Sequence, residues 1–218
     1  MEITWYGQTC FRLSERGMAA VVTDPYPPEA GFEFPRSRAH IVTVSRDDPE
    51  YRYTKGVRGP FKLLDGPGEY EIGGVFVTGI ATFADGKKGA VRGANTIFAF
   101  DFDGLTVCHL GHIGHVPTQS QVERLGTVNV LLVPVGGGGS LTPARASEAI
   151  SLFEPNIVIP MYYKIKGLKA KLGTLNRFLR EMGVEKIESE ELLKISKSDP
   201  SEGTRVVVLD PKRRNGGE

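Results

Sequence analysis

The chain has 218 residues, 40% of them hydrophobic and 24% charged, which is enough for one buried core and excludes disordered or fibrous classes. A formal net charge of +1 leaves no bulk electrostatic case for nucleic acid or an anionic membrane, so neither is expected as a partner. The basic clusters Lys87-Lys88 and Lys212-Arg213-Arg214 sit beside glycines in turn-like or terminal sequence and read as solvated surface. Two isolated cysteines, Cys10 and Cys108, make no disulfide framework and read as small buried hydrophobes in a reducing compartment. The N-terminus runs straight into strand-like sequence with no signal-peptide pattern, and no apolar run is long enough to cross a bilayer. A cytoplasmic protein with a single domain over residues 1–218 is the expectation.

In chain order, residues 3–6 and 11–13 read as a hairpin around Gly7, and 19–23 as an apolar strand stopped by Asp24-Pro25. The stretch holding Pro25, Pro27, Pro28 and Pro35 must be loop, because proline cannot donate to a ladder. Strands are expected at 40–44 and 75–82, and a hairpin joins 95–102 to 105–108 across Asp103-Gly104. Thr118 with Gln121 three residues on forms a capping box and opens a helix. The apolar run 128–135 fits a strand buried on both faces. Thr142 then caps a helix with Pro143 at its first position and Ala146, Ala149, Ile150 and Phe153 on one stripe. Strand 157–161, helix 172–182 and strand 205–209 complete an α/β pattern of packed sheets with helices outside.

Three of the four histidines crowd into His109-Leu110-Gly111-His112-Ile113-Gly114-His115, a loop at a strand's C-terminal end where ligands tend to gather. Imidazoles at this spacing suggest a metal site, while glycines shaping a turn with histidines bonded to backbone account for the same residues.

Across nearly the whole chain the sequence resembles the metallo-β-lactamase superfamily, in the branch of small zinc-dependent hydrolases that includes ascorbate-6-phosphate lactonase-like proteins. The resemblance rests on Ile3-Thr4-Trp5-Tyr6-Gly7, Thr23-Asp24-Pro25, Gly66-Pro67-Gly68-Glu69-Tyr70-Glu71-Ile72, His109-Leu110-Gly111, Pro134-Val135-Gly136-Gly137 and Ile159-Pro160-Met161, taken in order. It implies a four-layer αβ/βα sandwich with a metal site at one edge of the two sheets. It also implies ligand positions that this chain does not fill. The loop of form H-x-H-x-D-H falls on Val44-Ser45-Arg46-Asp47-Asp48-Pro49, the next histidine at or beside Ala84, with Asp85 following. His112 stands for the aspartate of H-L-G-D, and Tyr162 for the last histidine. Valine, proline and alanine offer no lone pair, and arginine repels a cation. Hydrolytic zinc needs about three protein ligands and a water, more than Asp48 and His112 supply.

The expectation is therefore a metal-free, non-hydrolytic relative that binds an anionic small molecule or a partner at the old cleft, with no cofactor. Arg46 would supply the positive charge, paired with Asp48 or Asp47. The cleft would be lined by Arg46, Asp85, His109, His115, Tyr162 and Lys164, with His112 and Asp48 as the candidate catalytic pair. The alternative is a hydrolase with a rebuilt site, in which Asp48, His112 and Asp85, joined by His109 and His115, hold one Zn or Mn. His112 acting as a metal-free general base is a variant of it. Gly136-Gly137-Gly138-Gly139-Ser140 before Thr142 could cradle an anion, but it lacks a P-loop's lysine and reads better as a flexible loop. A purely structural or interaction role would show as a closed, side-chain-filled cleft.

Overall fold

The computed structural model describes residues 1–31, 34–199 and 203–212; Arg213 and Arg214 of the terminal basic cluster lie outside them. Strands in chain order are β1 (Glu2–Gly7), β2 (Cys10–Ser14), β3 (Val21–Thr23), β4 (Ser37–Arg38), β5 (Ile41–Thr43), β6 (Val57–Arg58), β7 (Lys62–Leu64), β8 (Gly68–Ile72) and β9 (Val75–Phe83). They continue as β10 (Ala94–Asp101), β11 (Thr106–His109), β12 (Val130–Pro134), β13 (Ile157–Met161), β14 (Ser189–Glu190), β15 (Leu193–Lys194), β16 (Arg205–Val206) and β17 (Val208–Leu209). The α-helices are α1 (Gln119–Leu125), α2 (Pro143–Phe153) and α3 (Leu175–Glu181).

Two sheets dominate, in the orders β15-β1-β2-β3-β5-β7 and β16-β13-β12-β11-β10-β9-β8. In the second, β8 to β11 run as an antiparallel meander, and β11, β12, β13 and β16 are parallel. Side-chain alternation in the first sheet produces two cores. Ile3, Trp5, Phe11, Leu13, Val21 and Ile41 face inward to the large core shared with the second sheet. Their neighbours Tyr6, Cys10, Val22 and Val42 point the other way and pack under Tyr26, Phe34, Ala39 and Val57. That outer cover is loop, the small β4–β6 pair and three short 3-10 turns, whereas α1, α2 and α3 form the helical layer beyond the second sheet.

Local chemistry explains the element ends. The Thr118–Gln121 capping box is present in full, and Pro143 opens α2, whose Ala146, Ala149, Ile150 and Phe153 are buried. The expected helix at 172–182 begins only at Leu175, because Gly173 is held on the 136–139 glycine loop by hydrogen bonding to Gly136. The expected strand at 205–209 splits in two, β16 pairing with β13 and β17 with β14. Edge strand β8 escapes sequence reading because it is short and its apolar face is only Tyr70 and Ile72, both partly buried, alternating with the exposed Glu69 and Glu71. Both cysteines are buried, and Lys87 and Lys88 are exposed. Among the described residues no helix is long and apolar enough to cross a membrane.

Candidate functional site

The C-terminal ends of β3, β5, β11 and β13 converge, so the residues that follow them meet at one edge of the two sheets. Asp24 follows β3, Ser45 lies just past β5, the 110–115 loop follows β11 and Tyr162 follows β13. The turn at Gln8 and Thr9 between β1 and β2 closes the group. Asp24 is its fully buried centre. One carboxyl oxygen accepts the Ser45 N–H at 2.6 Å and the other the Ser45 hydroxyl at 2.7 Å. His109 Nε2 lies 3.9 Å and His112 Nδ1 3.8 Å from that second oxygen.

Each histidine of the loop has its own environment. His109, fully buried, donates from Nε2 to the Thr9 carbonyl at 2.8 Å. The His112 ring lies between two tyrosines, with the Tyr51 ring centre 3.7 Å away and tilted 37°, and the Tyr162 ring edge-on at 4.7 Å. The Tyr51 and Tyr162 hydroxyls are 3.3 Å apart. His115 Nε2 accepts the Phe83 N–H, so its other nitrogen carries the proton donated to the Val116 carbonyl. Asn95 fastens the loop, accepting the His112 N–H at 2.8 Å while donating to the Leu110 carbonyl at 3.1 Å. Gly111, at φ +62°, sits where a Cβ would lie 2.4 Å from Ser45 Cβ, so only glycine lets the loop approach the Asp24–Ser45 pair.

Backbone strain collects here. Of the six non-glycine residues with positive φ in the described chain, Gln8, Asp24 and Tyr162 belong to this cluster. Tyr162 is held in that conformation by its N–H donating to the Gln8 carbonyl at 3.1 Å, an oxygen that also receives Trp5 Nε1.

Several sequence expectations are corrected by these positions. The carboxylate beside His112 is Asp24, not Asp48. Asp48 instead caps a 3-10 turn by accepting the Glu50 N–H and pairs with Arg46 at 3.2 Å. Asp85 does not line the cleft as a free ligand, because its carboxyl accepts the backbone N–H groups of Lys87, Gly89, Val91 and Arg92. Those bonds outweigh the upward push of burial and hold its carboxyl at about 2. His115 is a clip between β9 and its own loop, and Lys164 is exposed on a segment tied to Gly173. The set Asp48, His112 and Asp85 is thus not assembled. Among the described residues no three histidine, cysteine, aspartate or glutamate side chains are placed to hold a metal ion.

The donor chemistry gives the same answer for a catalytic zinc. Both Asp24 oxygens are engaged by Ser45, His109 Nε2 is engaged by Thr9, and Arg46 and Arg92 add positive charge around His112. With no three histidine, cysteine, aspartate or glutamate side chains placed together among the described residues and two guanidinium charges nearby, the three-ligand-plus-water set of a hydrolytic site is not made up here. Yet polar atoms here are orphaned: Gln8 Nε2, Thr43 Oγ1, His109 Nδ1 and both His112 nitrogens are buried without a hydrogen-bond partner.

Burial is the main cause holding His112 neutral, and the charges of His109, Arg46 and Arg92 reinforce it. Burial also depresses His109, against the pull of Asp24. Both folded values lie below the ordinary 6.5, so the unfolded chain binds more protons between them and stability falls as pH drops below about 6.5. Replacing His112 with phenylalanine removes one of these groups and two unpartnered buried nitrogens. Thermal melts from pH 7.5 to 5 should show His112→Phe within about 1 kcal/mol of the parent at neutral pH and less acid-sensitive below it. A variant as acid-sensitive as the parent would show that His112 does not titrate with unfolding.

Sequence reading missed Asp24, Tyr51, Arg92 and Asn95 as members of the site. Only Asp24 left a signal, as a carboxylate between an apolar strand and proline; the others come from segments with no local mark.

Comparison with known proteins places the chain in a family. The Beta-lactamase superfamily domain matches residues 2–162. A UPF0173 protein of Pyrococcus abyssi is 24% identical over 206 residues, covering 84% of this chain and 90% of that one. A UPF0173 metal-dependent hydrolase of Methanoculleus marisnigri is 26% identical over 188 residues, covering 75% and 81%. A crystal structure from Thermotoga maritima, described as a candidate Zn-dependent hydrolase of the metallo-β-lactamase superfamily, shares 36% identity with a TM-score of 0.79, covering 95% of this chain and 97% of that one. With a domain match over most of its length and the sandwich of that relative, the chain belongs to the metallo-β-lactamase superfamily.

Proposed function

We propose that this chain is a metal-independent, non-hydrolytic member of the superfamily that binds an anionic small molecule at the family's cleft. The observation that carries the reading is the placement of Arg92, bonded to the Gly138 carbonyl on the loop beside Tyr162, with Arg46 in the segment that stacks Tyr51 on His112. On this reading fixed guanidinium charge takes the place of the cation on which relatives named metal-dependent hydrolases depend, and a planar guanidinium grips carboxylate or phosphate oxygens. Arg92 is aimed by its Nη1–H bond to the Gly138 carbonyl, and Gly139 leaves room for the guanidinium, since a Cβ there would fall within 1.9 Å of it.

The second reading is a hydrolase in which His112, with Asp24 3.8 Å away, takes a proton from water. The names of the relatives and the orphaned imidazole nitrogens favour it, and the closure of the site by Tyr51 and Tyr162 bars a substrate and an anion alike, so it separates neither reading from the other. Elemental analysis of untagged protein, before and after exposure to zinc and manganese, separates the two. The proposal expects less than about a tenth of an equivalent of metal per chain. It also expects calorimetric binding of inorganic phosphate or citrate that weakens about tenfold or more in Arg92→Ala. Close to one equivalent of metal, lost in His112→Ala, would replace this reading with a rebuilt metal site.

A further inference from the structure

The segment that stands in place of the family's ligand-bearing loop has a second property. Residues 46–52 are at least partly exposed and, Pro49 apart, polar, except Tyr51, which is 4% exposed and stacked on His112. The ties within the segment are local: Asp48 N–H to the Arg46 carbonyl, Tyr51 N–H to the Asp48 carbonyl, Asp48 to Glu50 N–H, and the Arg46–Asp48 and Arg52–Asp47 pairs. Its ends are anchored, Ser45 on Asp24 and the Tyr53 N–H on the Pro25 carbonyl. Between those anchors, the described polar contacts to the rest of the molecule are the Tyr51–Tyr162 hydroxyl pair and the exposed Arg52–Asp65 ion pair at 2.7 Å. Surface ion pairs of that kind hold weakly.

The closed arrangement also leaves its own interior unsatisfied. Both His112 nitrogens are buried without a partner, and the two tyrosine hydroxyls share a single long contact. A buried polar group without a partner raises the energy of the state that buries it, which lowers the cost of opening. The geometry points to residues 46–52 being a lid and Tyr51 its plug. Withdrawal of the ring admits an oxyanion to Arg92, the Tyr162 hydroxyl and His112, with Arg46 at the end of the lid beside the anchored Ser45, and Arg52–Asp65 is the latch. Only the identity of the guest rests on the proposed function; the motion does not.

The test is carbethoxylation of the full chain at pH 7 by diethyl pyrocarbonate, which attacks neutral imidazole nitrogen, with the modified residue located by fragment-ion mass. His109 is the internal control, because it is fully buried and bonded to the Thr9 carbonyl. A lid gives modification at His112 well ahead of His109. Arg52→Ala, which cuts the latch without touching the plug, speeds His112 labelling about two- to fivefold while the melting temperature stays put. Tyr51→Ala speeds it further, and if that variant folds poorly the Arg52→Ala comparison decides alone. Labelling of His112 that keeps pace with His109, or is indifferent to Arg52→Ala, overturns the lid and makes Tyr51 a fixed part of the core. Inorganic phosphate and acetate are then added as probes. Protection of His112 by phosphate alone identifies a phosphate-type guest, and protection by both a general oxyanion site. A lid that opens with no protection by either leaves the motion standing and removes the anion reading.

Discussion

Asp24→Ala is expected to lose about 3 kcal/mol of unfolding free energy, because it strips a buried acceptor from two donors at once. The Ser45 N–H and hydroxyl, now both bonded to the carboxyl, would be left facing an apolar methyl. His109 and His112 would lose their shared carboxylate, and Gly111, which packs on Ser45, would lose the surface it fits. Asparagine at the same place keeps one acceptor, so Asp24→Asn should cost less than alanine. The comparison carries a pH signature. Burial is the chief cause raising the Asp24 carboxyl, opposed by the charge of His109 and the bonds from Ser45. A folded value above the unfolded one means this group favours the native state most at low pH, and that contribution is lost as pH rises through the folded value. The cost of Asp24→Asn relative to the parent should therefore be largest near pH 4 and shrink toward neutrality. Urea unfolding at a series of pH values measures it, and a cost that grows toward neutrality would contradict the burial of an acid at the centre of the site.

The other large effect belongs to Trp5. Its indole is fully buried, stacked on Phe11 at 6.3 Å and tilted against Tyr163 at 5.1 Å. Trp5→Ala should cost about 4 kcal/mol through lost burial and the cavity left behind. The residue also reaches the site, because Nε1 donates to the Gln8 carbonyl that holds the Tyr162 N–H. Trp5→Phe keeps most of the packing and removes that donor, so a loss of about 1 to 2 kcal/mol is expected. It should also speed exchange of the Tyr162 amide, measured by hydrogen–deuterium exchange. Equal losses for phenylalanine and alanine would mean that the hydrogen bond, not the volume, dominates.

Particular residues show how far the sequence could be read. The Thr118–Gln121 box and the Thr142–Pro143 start are local arrangements, and they appear in the structure as the sequence spells them. The apolar runs at β12 and β13 are legible because burial on both faces leaves a continuous hydrophobic stretch. The Arg46–Asp48 pair is legible for a similar reason, both partners lying in one short loop. Asp85 shows the opposite case. Its residue type qualifies it as a ligand, but the chain from 87 to 92 turns its amides onto the carboxyl, and no spacing rule announces that.

The sequence alone determined the main apolar strands, the two capped helices and the family frame, because each follows from local pattern or side-chain identity. Tertiary structure alone decided which carboxylate stands beside His112, and that a tyrosine 61 positions earlier in the chain covers its ring. Those contacts join β3, β5, β11 and β13 across two sheets. Side chains so distant in sequence meet only when strand register and core packing bring them together, so no local pattern records the meeting.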